Sequence, residues 1–348
     1  MSNERPSVKQ DDPKSANREP PIAAVALPAP GGTLKQYVAY EEASGRSCAL
    51  SSDGTQAWVA GVRGELRRLP MECTQPPDAD LVKSLLGHRG VWMVTYLLAP
   101  DESHPANCFD YVCRNPDYRL EALSSHARRD IRRGLRSFNV RLCNWDELVA
   151  KGYPAEVDTT VQHGYITPSS RVIRKFAQRR RRFPLFEIWG AWKGEELAAW
   201  MSVIKVDDWA AIDVCRSRTA RLRHCPNNAL LYAATRTLLV EEKRKYVSYG
   251  LSSLQVEVND LAMHQYKVRM GYEAVPVWRT VALHWMLGPL LKPRAASLGW
   301  EAMAKLLPKL PALRRAAGLA RLLSGRDSAP LAWAQAEGAS DKDSPDST

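Results

Sequence analysis

The sequence predicts an α/β protein whose sheet has strands of mixed direction and is flanked by helices. Between residues 185 and 285, three strand patterns precede a long helix, followed by a strand, a second helix and a last strand. A meander that passes into a strand–helix–strand crossover gives a mixed sheet, unlike an alternating doubly wound fold. The GxGxxG, GxxxxGK[ST] and GxSxG motifs are all missing, which argues against dinucleotide-binding, P-loop and α/β-hydrolase folds.

Composition and charge narrow the class of protein further. Hydrophobic residues make up 45% of the 348 residues, enough for a full core. The net charge of +11 favours anionic partners such as CoA phosphates, nucleic acid or acidic lipids. The seven cysteines include no CxxC pair, so the sequence predicts neither a metal site nor a disulfide framework. The charged N-terminus and the lack of an 18-residue apolar run predict a cytoplasmic protein without a spanning helix.

Changes in composition divide the chain into five segments. Residues 1–32 and 325–348 are rich in Ser and charge, with many Pro in the former, and are predicted to be a disordered leader and tail. Between them we expect an N-terminal α/β segment over 33–184, a core over 185–287 and a basic helical extension over 288–324.

The N-terminal segment shows alternating strand and helix signals. Strand-like runs cover 57–69, 91–98 and 140–142, and helices are predicted near 80–86 and over 120–138. The longer helix carries one apolar stripe at a spacing of four residues, with most arginines elsewhere. This stripe consists of Leu123, Ala127, Ile131 and Leu135.

The core segment has clearer elements. Its first three strands are predicted over 185–193, 197–206 and 209–216, followed by a basic loop over 216–225. A helix from residue 227 or 228 to about 244 then leads to a strand over 246–251. A second helix, capped by residue 259 or 260, stops at Gly271 before a last strand over 275–285.

This order of elements, with a basic loop before the first core helix, resembles the core of GNAT acyltransferases. It looks most like the subset related to Fem-type aminoacyltransferases and their acetyltransferase relatives. The shared features are a basic helix over 128–136, the Pro226–Asn227 helix start, and Lys267 followed by Gly271–Tyr272. The resemblance implies a GNAT-like mixed sheet. Because Fem-type proteins often contain two such units, residues 33–184 could be a degenerate first unit of a tandem.

The basic loop and the helix after it form the candidate donor site. N–H groups at a helix start attract phosphate, and the resemblance implies that the CoA pyrophosphate of an acyl-CoA co-substrate binds here. The loop lacks the glycine that GNAT proteins often use, which fits an altered donor site; a solvated basic loop is an equal alternative. The candidate donor-binding residues are Arg216, Arg218, Pro226, Asn227 and Asn228.

Five residues are candidates for catalysis. Lys267 stands where many GNAT enzymes place a tyrosine, so the resemblance implies that it stabilises an oxyanion, with Tyr266 beside it. Asp213 lies within the third core strand, where an ionised carboxylate needs a partner or a function. It could take a proton from the acceptor, as could Glu257 or His264. Strand alternation predicts that Ile212 and Val214 lie on the face opposite Asp213.

The favoured hypothesis is therefore an acyltransferase that moves an acetyl or other acyl group from acyl-CoA to an amine or hydroxyl by direct attack, without a metal. The acceptor would be a small molecule or a cell-envelope precursor. One alternative replaces the donor by aminoacyl-tRNA, and another is a non-catalytic protein that binds nucleic acid or membrane on a GNAT scaffold.

Two basic segments outside the candidate site have alternative interpretations. The run Arg179–Arg182 reads as a solvated face that could also contact tRNA or lipid phosphate. The extension over 288–324 reads either as short helices packed on the domain or as a basic amphipathic surface in peripheral contact with an anionic membrane.

Overall fold

The computed structural model describes residues 31–62, 64–253, 260–307 and 310–325. The strands of this described part are β1 Ala49–Leu50, β2 Ala57–Ala60, β3 Glu65–Leu69, β4 Met93–Leu98, β5 Cys108–Cys113, β6 Asn139–Leu142, β7 Phe186–Lys193, β8 Glu196–Val206, β9 Trp209–Ser217, β10 Tyr246–Leu251 and β11 Glu273–Leu283. Its α-helices are α1 Leu34–Ala43, α2 Ala79–Leu86, α3 Ser125–Ser137, α4 Trp145–Lys151, α5 Tyr153–Gln162, α6 Arg171–Arg180, α7 Pro226–Arg236, α8 Asp260–Arg269, α9 Gly288–Leu291, α10 Arg294–Leu306 and α11 Pro311–Leu323.

All these strands belong to one mixed sheet in the order β1-β2-β3-β4-β11-β5-β10-β9-β8-β7-β6. Neighbours pair antiparallel except for β3 with β4 and β9 with β10. Each parallel pair is connected through a helix, α2 in the first case and α7 in the second, because parallel neighbours need a crossover. The mixed sheet confirms the predicted fold class, and the same strand–helix–strand unit occurs in both halves of the chain.

Strand β11 connects the two halves of the sheet. Its first residues, 273–277, pair with β5, and residues 278–283 pair with β4. Strand β5 in turn lies between β10 and β11, although it comes from the predicted N-terminal segment. The sheet therefore runs without interruption across the predicted segment boundary at 184/185.

Helices cover both faces of this sheet. Helices α3, α7 and α8 pack on one face, where Ala127 and Ile131 of the predicted stripe are buried. The opposite face is covered by α1 and by α4, α5 and α6. The Trp200 indole on that face donates a 3.1 Å hydrogen bond to the Gly152 carbonyl between α4 and α5. The sheet is thus covered by helices from both halves of the chain.

Several predicted element boundaries differ from the structure. The strand-like run over 57–69 is a hairpin of β2 and β3, with Gly64 at a φ of +81° in the turn. The helix predicted to reach residue 244 ends at Arg236, and a π-helical turn over 237–241 follows. Gly32, at the end of the predicted leader, pairs with Val206. Within the described ranges, no helix is long and apolar enough to cross a membrane.

Candidate functional site

The candidate site is an opening between the parallel strands β9 and β10. The two strands pair only from Tyr246 to Ser248, opposite residues 209–211, and no pairing continues beyond this point. On β10 the register with β5 shifts between Ser248 and Gly250, where Gly250 has a φ of +76°. A left-handed φ is easy for glycine. Gly250 thus allows β10 to separate from β9 after Ser248, near the point where β9 is also irregular.

The irregularity in β9 is a β-bulge at Asp213. Ile212 pairs with Val203 and Val214 pairs with Ser202, so Asp213 has no residue opposite it. The prediction that Val214 lies on the face opposite Asp213 is wrong, because the extra residue of a bulge interrupts the alternation of side chains. Val214 packs with the apolar cluster under α4 and α6, the side from which α6 reaches Asp213.

A pocket of about 430 Å³ lies on this face of the sheet. It is bounded by α1, the β2–β3 hairpin, and the β9 and β10 strands at the opening. Its charged groups come from four separate parts of the chain, and aromatic rings and aliphatic side chains complete the walls. The charged lining residues are Glu41, Arg46, Arg67, Arg180 and Asp213.

Arg180 holds the Asp213 carboxylate at the wall of the pocket. One guanidinium nitrogen of Arg180 donates to Asp213 Oδ2 at 2.5 Å and to Ser202 Oγ at 3.0 Å. The guanidinium also lies 4.1 Å from the ring centroid of Phe176 and 4.6 Å from that of Phe186. Such aromatic contacts stabilise the cation. The arginine run therefore does not form a uniformly solvated face, since Arg180 is largely buried, and Asp213 has the partner that its strand position required.

Glu41 is a buried carboxyl group in the same pocket. It lies on α1, and its carboxyl oxygen is 2.5 Å from Arg46 Nε. Burial raises its pKa to about 7, although Arg46 and Arg180 both act to lower it. A carboxyl group with a pKa near neutrality can accept and release a proton at physiological pH. Glu41 was not among the predicted site residues because α1 was not predicted.

Lys267 lies on the other face of the sheet, beside the same opening. Its ammonium group is 3.9 Å from the ring centroid of Tyr111 on β5 and 4.7 Å from that of Tyr249 on β10. The side chain is buried, and Tyr249 also lines the pocket. A cation held over two rings in a low-dielectric site has a defined position. Tyr249 thus connects Lys267 with the pocket across the sheet.

The remaining catalytic candidates are Tyr266, His264 and Glu257. The Tyr266 and Tyr249 ring centroids are 6.5 Å apart, and burial raises the pKa of Tyr266 well above its ordinary range, so its hydroxyl stays protonated. His264 is buried, with Nδ1 3.0 Å from the Tyr111 hydroxyl, beneath the ring that contacts Lys267. Glu257 lies outside the described residues.

Two predicted donor-binding arginines are engaged by carboxylates of α5. Arg216 Nε is 2.8 Å from Glu156 Oε2, and Arg218 Nε is 3.0 Å from Asp158 Oδ2. Asp158 also accepts a 3.0 Å hydrogen bond from the Thr219 N–H. A carboxylate therefore already occupies this end of the basic loop, which forms a 3-10 helix over 219–224.

The other three predicted donor-binding residues form the first turn of α7. Pro226 is buried at the helix start, where its fixed φ fits. The Asn227 amide donates to Ser217 Oγ at 3.3 Å, and the Asn228 amide lies 3.7 Å from the Met270 sulfur. Both asparagine side chains are thus used to fasten α7 to β9 and to the end of α8.

A cluster of cations lies immediately before α7. It surrounds His224, whose pKa is lowered by desolvation and by the cations nearby. These cations come from α3, the end of β7 and the 3-10 helix; they are Arg133, Lys193, Arg221 and Arg223. Arg221 is held by Glu196, with its nearest oxygen at 2.6 Å. The cluster gives the start of α7 a positive surface. The basic loop and the basic helix over 128–136 were visible in the sequence, but their meeting with Lys193 at His224 was not.

Comparison with known proteins identifies the type of fold. No protein-family model matches the sequence, and no curated protein matches it. Among solved structures, FemX aligns with a TM-score of 0.51 at 8% identity, over 74% of this chain and 93% of FemX. The C-terminal domain of a putative lysylphosphatidylglycerol synthetase from Agrobacterium fabrum aligns with a TM-score of 0.47 at 11% identity, over 74% of this chain and 88% of that domain. A tandem GNAT protein from the clavulanic acid biosynthesis pathway aligns with a TM-score of 0.40 at 12% identity, over 72% of this chain and 94% of that protein.

The fold is therefore GNAT-type, as the sequence predicted. At 8% identity the likeness to FemX is one of architecture, and the chemistry has to be argued from the residues of the site.

Proposed function

We propose that this protein is an acyltransferase that moves an acyl group from an activated carrier to an amine or hydroxyl acceptor. The observation that supports the proposal is the arrangement at the β9–β10 opening. The Lys267 ammonium lies beside it on one face of the sheet, and a pocket with a near-neutral carboxyl group, Glu41, lies on the other. Direct acyl transfer needs a group for the oxyanion and a proton acceptor for the nucleophile.

In the proposed reaction the acceptor binds in the pocket and the acyl carbonyl lies in the opening. Glu41 accepts a proton from the amine or hydroxyl as its nitrogen or oxygen attacks the carbonyl carbon. Lys267 stabilises the negative oxygen of the tetrahedral intermediate. The bond from the carbonyl carbon to the carrier then breaks. The Tyr266 hydroxyl, which stays protonated, donates a hydrogen bond to the leaving atom, solvent supplies the proton for that atom, and Glu41 returns its proton to solvent. Asp213 keeps Arg180 in place at the pocket wall.

The first candidate for the carrier is CoA. Its phosphates would bind the positive surface before α7, where Arg133 and Lys193 lie near His224. Arg216 and Arg218 would contribute less, because their guanidinium groups are engaged by α5 carboxylates. An anion at a helix start is further stabilised by the helix dipole.

A second candidate for the carrier is aminoacyl-tRNA, and one observation favours it. The positive surface extends beyond the start of α7 along α3, where Arg129, Arg133 and Arg136 are exposed. A row of exposed arginines is longer than a diphosphate needs and suits a nucleic-acid backbone. A cell-wall precursor would then be the acceptor.

The carrier can be tested by ligand binding to the full chain. Thermal-shift titrations with acetyl-CoA, longer acyl-CoAs and free CoA would show stabilisation that rises with concentration if CoA binds the folded state. Arg133→Gln and Lys193→Gln should weaken that binding, whereas the matched control Arg119→Gln, an exposed arginine paired with Asp117, should not. Salt-sensitive tRNA binding without any CoA effect would favour the second carrier. If neither binds, the protein is not an acyltransferase of this kind.

The role of Lys267 can be tested once a carrier is known. Lys267→Met keeps the length of the side chain and removes its charge, so turnover should fall by about 10²-fold or more. Lys83→Met, on the exposed side of α2, should leave turnover unchanged. Equal turnover in both variants, with the fold intact by circular dichroism, would remove Lys267 from the mechanism.

A further inference from the structure

The outward side of α10 is apolar. Helical positions about 100° apart place five exposed residues on one side of this helix, and their side chains present almost only carbon atoms and one thioether to solvent. These residues, called here the α10 face, are Ala295, Leu298, Ala302, Met303 and Leu306. The exposed fraction reaches 79% for Leu306. An apolar helix side of this kind is normally turned toward a core, because burying it is favourable.

The inward side of α10 is already occupied. Ala304 packs against Ala317 of α11 in a small apolar cluster. Helix α11 in turn contacts the body of the protein, where Arg314 donates a 3.2 Å hydrogen bond to the His163 carbonyl and lies over the ring of Tyr165. The orientation of α10 is therefore fixed by its packing, and its apolar side points away from the part of the protein that the structure describes.

Exposed apolar side chains continue next to the α10 face. The Trp300 indole of α10 donates a 3.0 Å hydrogen bond to the carbonyl of Leu290 in α9, and Leu290 itself is 56% exposed. The segment before α9 carries Met286 and Trp285, the latter 78% exposed. Eight of the seventeen large hydrophobic side chains that are exposed in the described ranges lie between residues 285 and 310. This clustering of exposed hydrophobic side chains indicates an interaction surface.

Basic residues accompany these apolar ones. Residues 288–326 contain eight Lys or Arg and the single acid Glu301. Arg294 and Lys305 lie at one edge of the α10 face and are both exposed. Long basic side chains can keep their charged ends in the lipid headgroup region while their stems cover apolar surface. Trp is also enriched at that depth of a bilayer.

We propose that the α10 face binds in the plane of a membrane whose surface carries anionic lipids. The apolar residues would enter the boundary between headgroups and acyl chains, and Arg294 and Lys305 would contact the lipid phosphates. A second copy of the chain is a poorer partner, because it would bring the same positive charge to the contact. This inference does not depend on the acyltransferase chemistry.

The test is co-sedimentation of the full chain with lipid vesicles. Wild type should bind vesicles of phosphatidylcholine with roughly one-third phosphatidylglycerol and bind pure phosphatidylcholine much more weakly. Leu298→Glu with Leu306→Glu should weaken binding to the anionic vesicles by at least about tenfold. The matched control Leu81→Glu, at an exposed position on α2, should bind like wild type. Arg294→Gln with Lys305→Gln should weaken binding to anionic vesicles only.

Three results would overturn the proposal. Wild type could fail to bind anionic vesicles, or the double glutamate variant could bind them as well as wild type. Alternatively, wild type could be a dimer in light scattering that the double glutamate variant converts to a monomer, with no vesicle binding by either. That last result would assign the α10 face to contact between copies of this chain.

Discussion

The pH dependence of stability should change when Glu41 is replaced by glutamine. Burial raises the pKa of Glu41 from its ordinary value of 4.5 to about 7 in the folded state, so folding favours the protonated form. The contribution of Glu41 to the free energy of unfolding is complete below pH 4.5 and is lost as the pH rises through 7. The relation between pKa shifts and stability gives a decrease of about 2–3 kcal/mol in the free energy of unfolding between about pH 5 and pH 8. Glutamine cannot ionise and should not show this loss.

The assay is urea unfolding of wild type and Glu41→Gln across that pH range. We expect the variant to gain stability relative to wild type as pH rises, and the difference between the two proteins isolates Glu41 from other groups. One such group is Asp110, whose pKa is also raised by burial, to about 6. Parallel curves for the two proteins would show that Glu41 titrates at its ordinary pKa, and the proposed proton acceptor would lose its physical basis.

Two further substitutions test the packing around the site. Gly134→Ala should destabilise the protein by about 1–3 kcal/mol in urea unfolding, because the new Cβ would lie 2.5 Å from the Cys225 carbonyl oxygen and 2.8 Å from Ala229 Cβ; an unchanged midpoint would mean that α3 and α7 are less closely packed. Arg180→Met should lower the free energy of unfolding by about 1–3 kcal/mol, because it leaves the Asp213 carboxylate beside the aromatic rings without its cation. Adding Asp213→Asn should recover part of that loss, and strictly additive effects in the double-mutant cycle would refute the coupling.

The order of elements in the core was predictable because each element carries its own local signal. The apolar strands β7 to β10 and the helix that precedes Gly271 are visible from residues that neighbour one another in sequence. Strand β5 was missed for a physical reason. All its residues are buried, so the alternation that identifies a half-exposed strand is missing, and Asp110 interrupts its apolar run.

The pocket could not be predicted, because its charged groups meet only after folding. That Asp213 needs a partner followed from its strand position, but the identity of the partner did not. Four consecutive arginines lie at the C-terminal end of α6. Sequence alone gives no reason to choose Arg180 from among them. The β-bulge decides the choice by directing Asp213 toward α6. Predicting Glu41 as a site residue required predicting α1. The buried residues of α1 include two tyrosines and Glu41 itself, and this composition hides the amphipathic pattern of the helix.

The central position of β5 has a consequence for synthesis of the chain on the ribosome. This strand ends at Cys113, but its two neighbours in the sheet begin only at Tyr246 and Glu273. Until those residues emerge, both edges of β5 remain without their final partners, and unpaired apolar edges are prone to aggregation. A nascent chain of this protein must therefore stay protected through much of its translation, and a fragment that begins after β5 would lack the strand that joins its own last two strands.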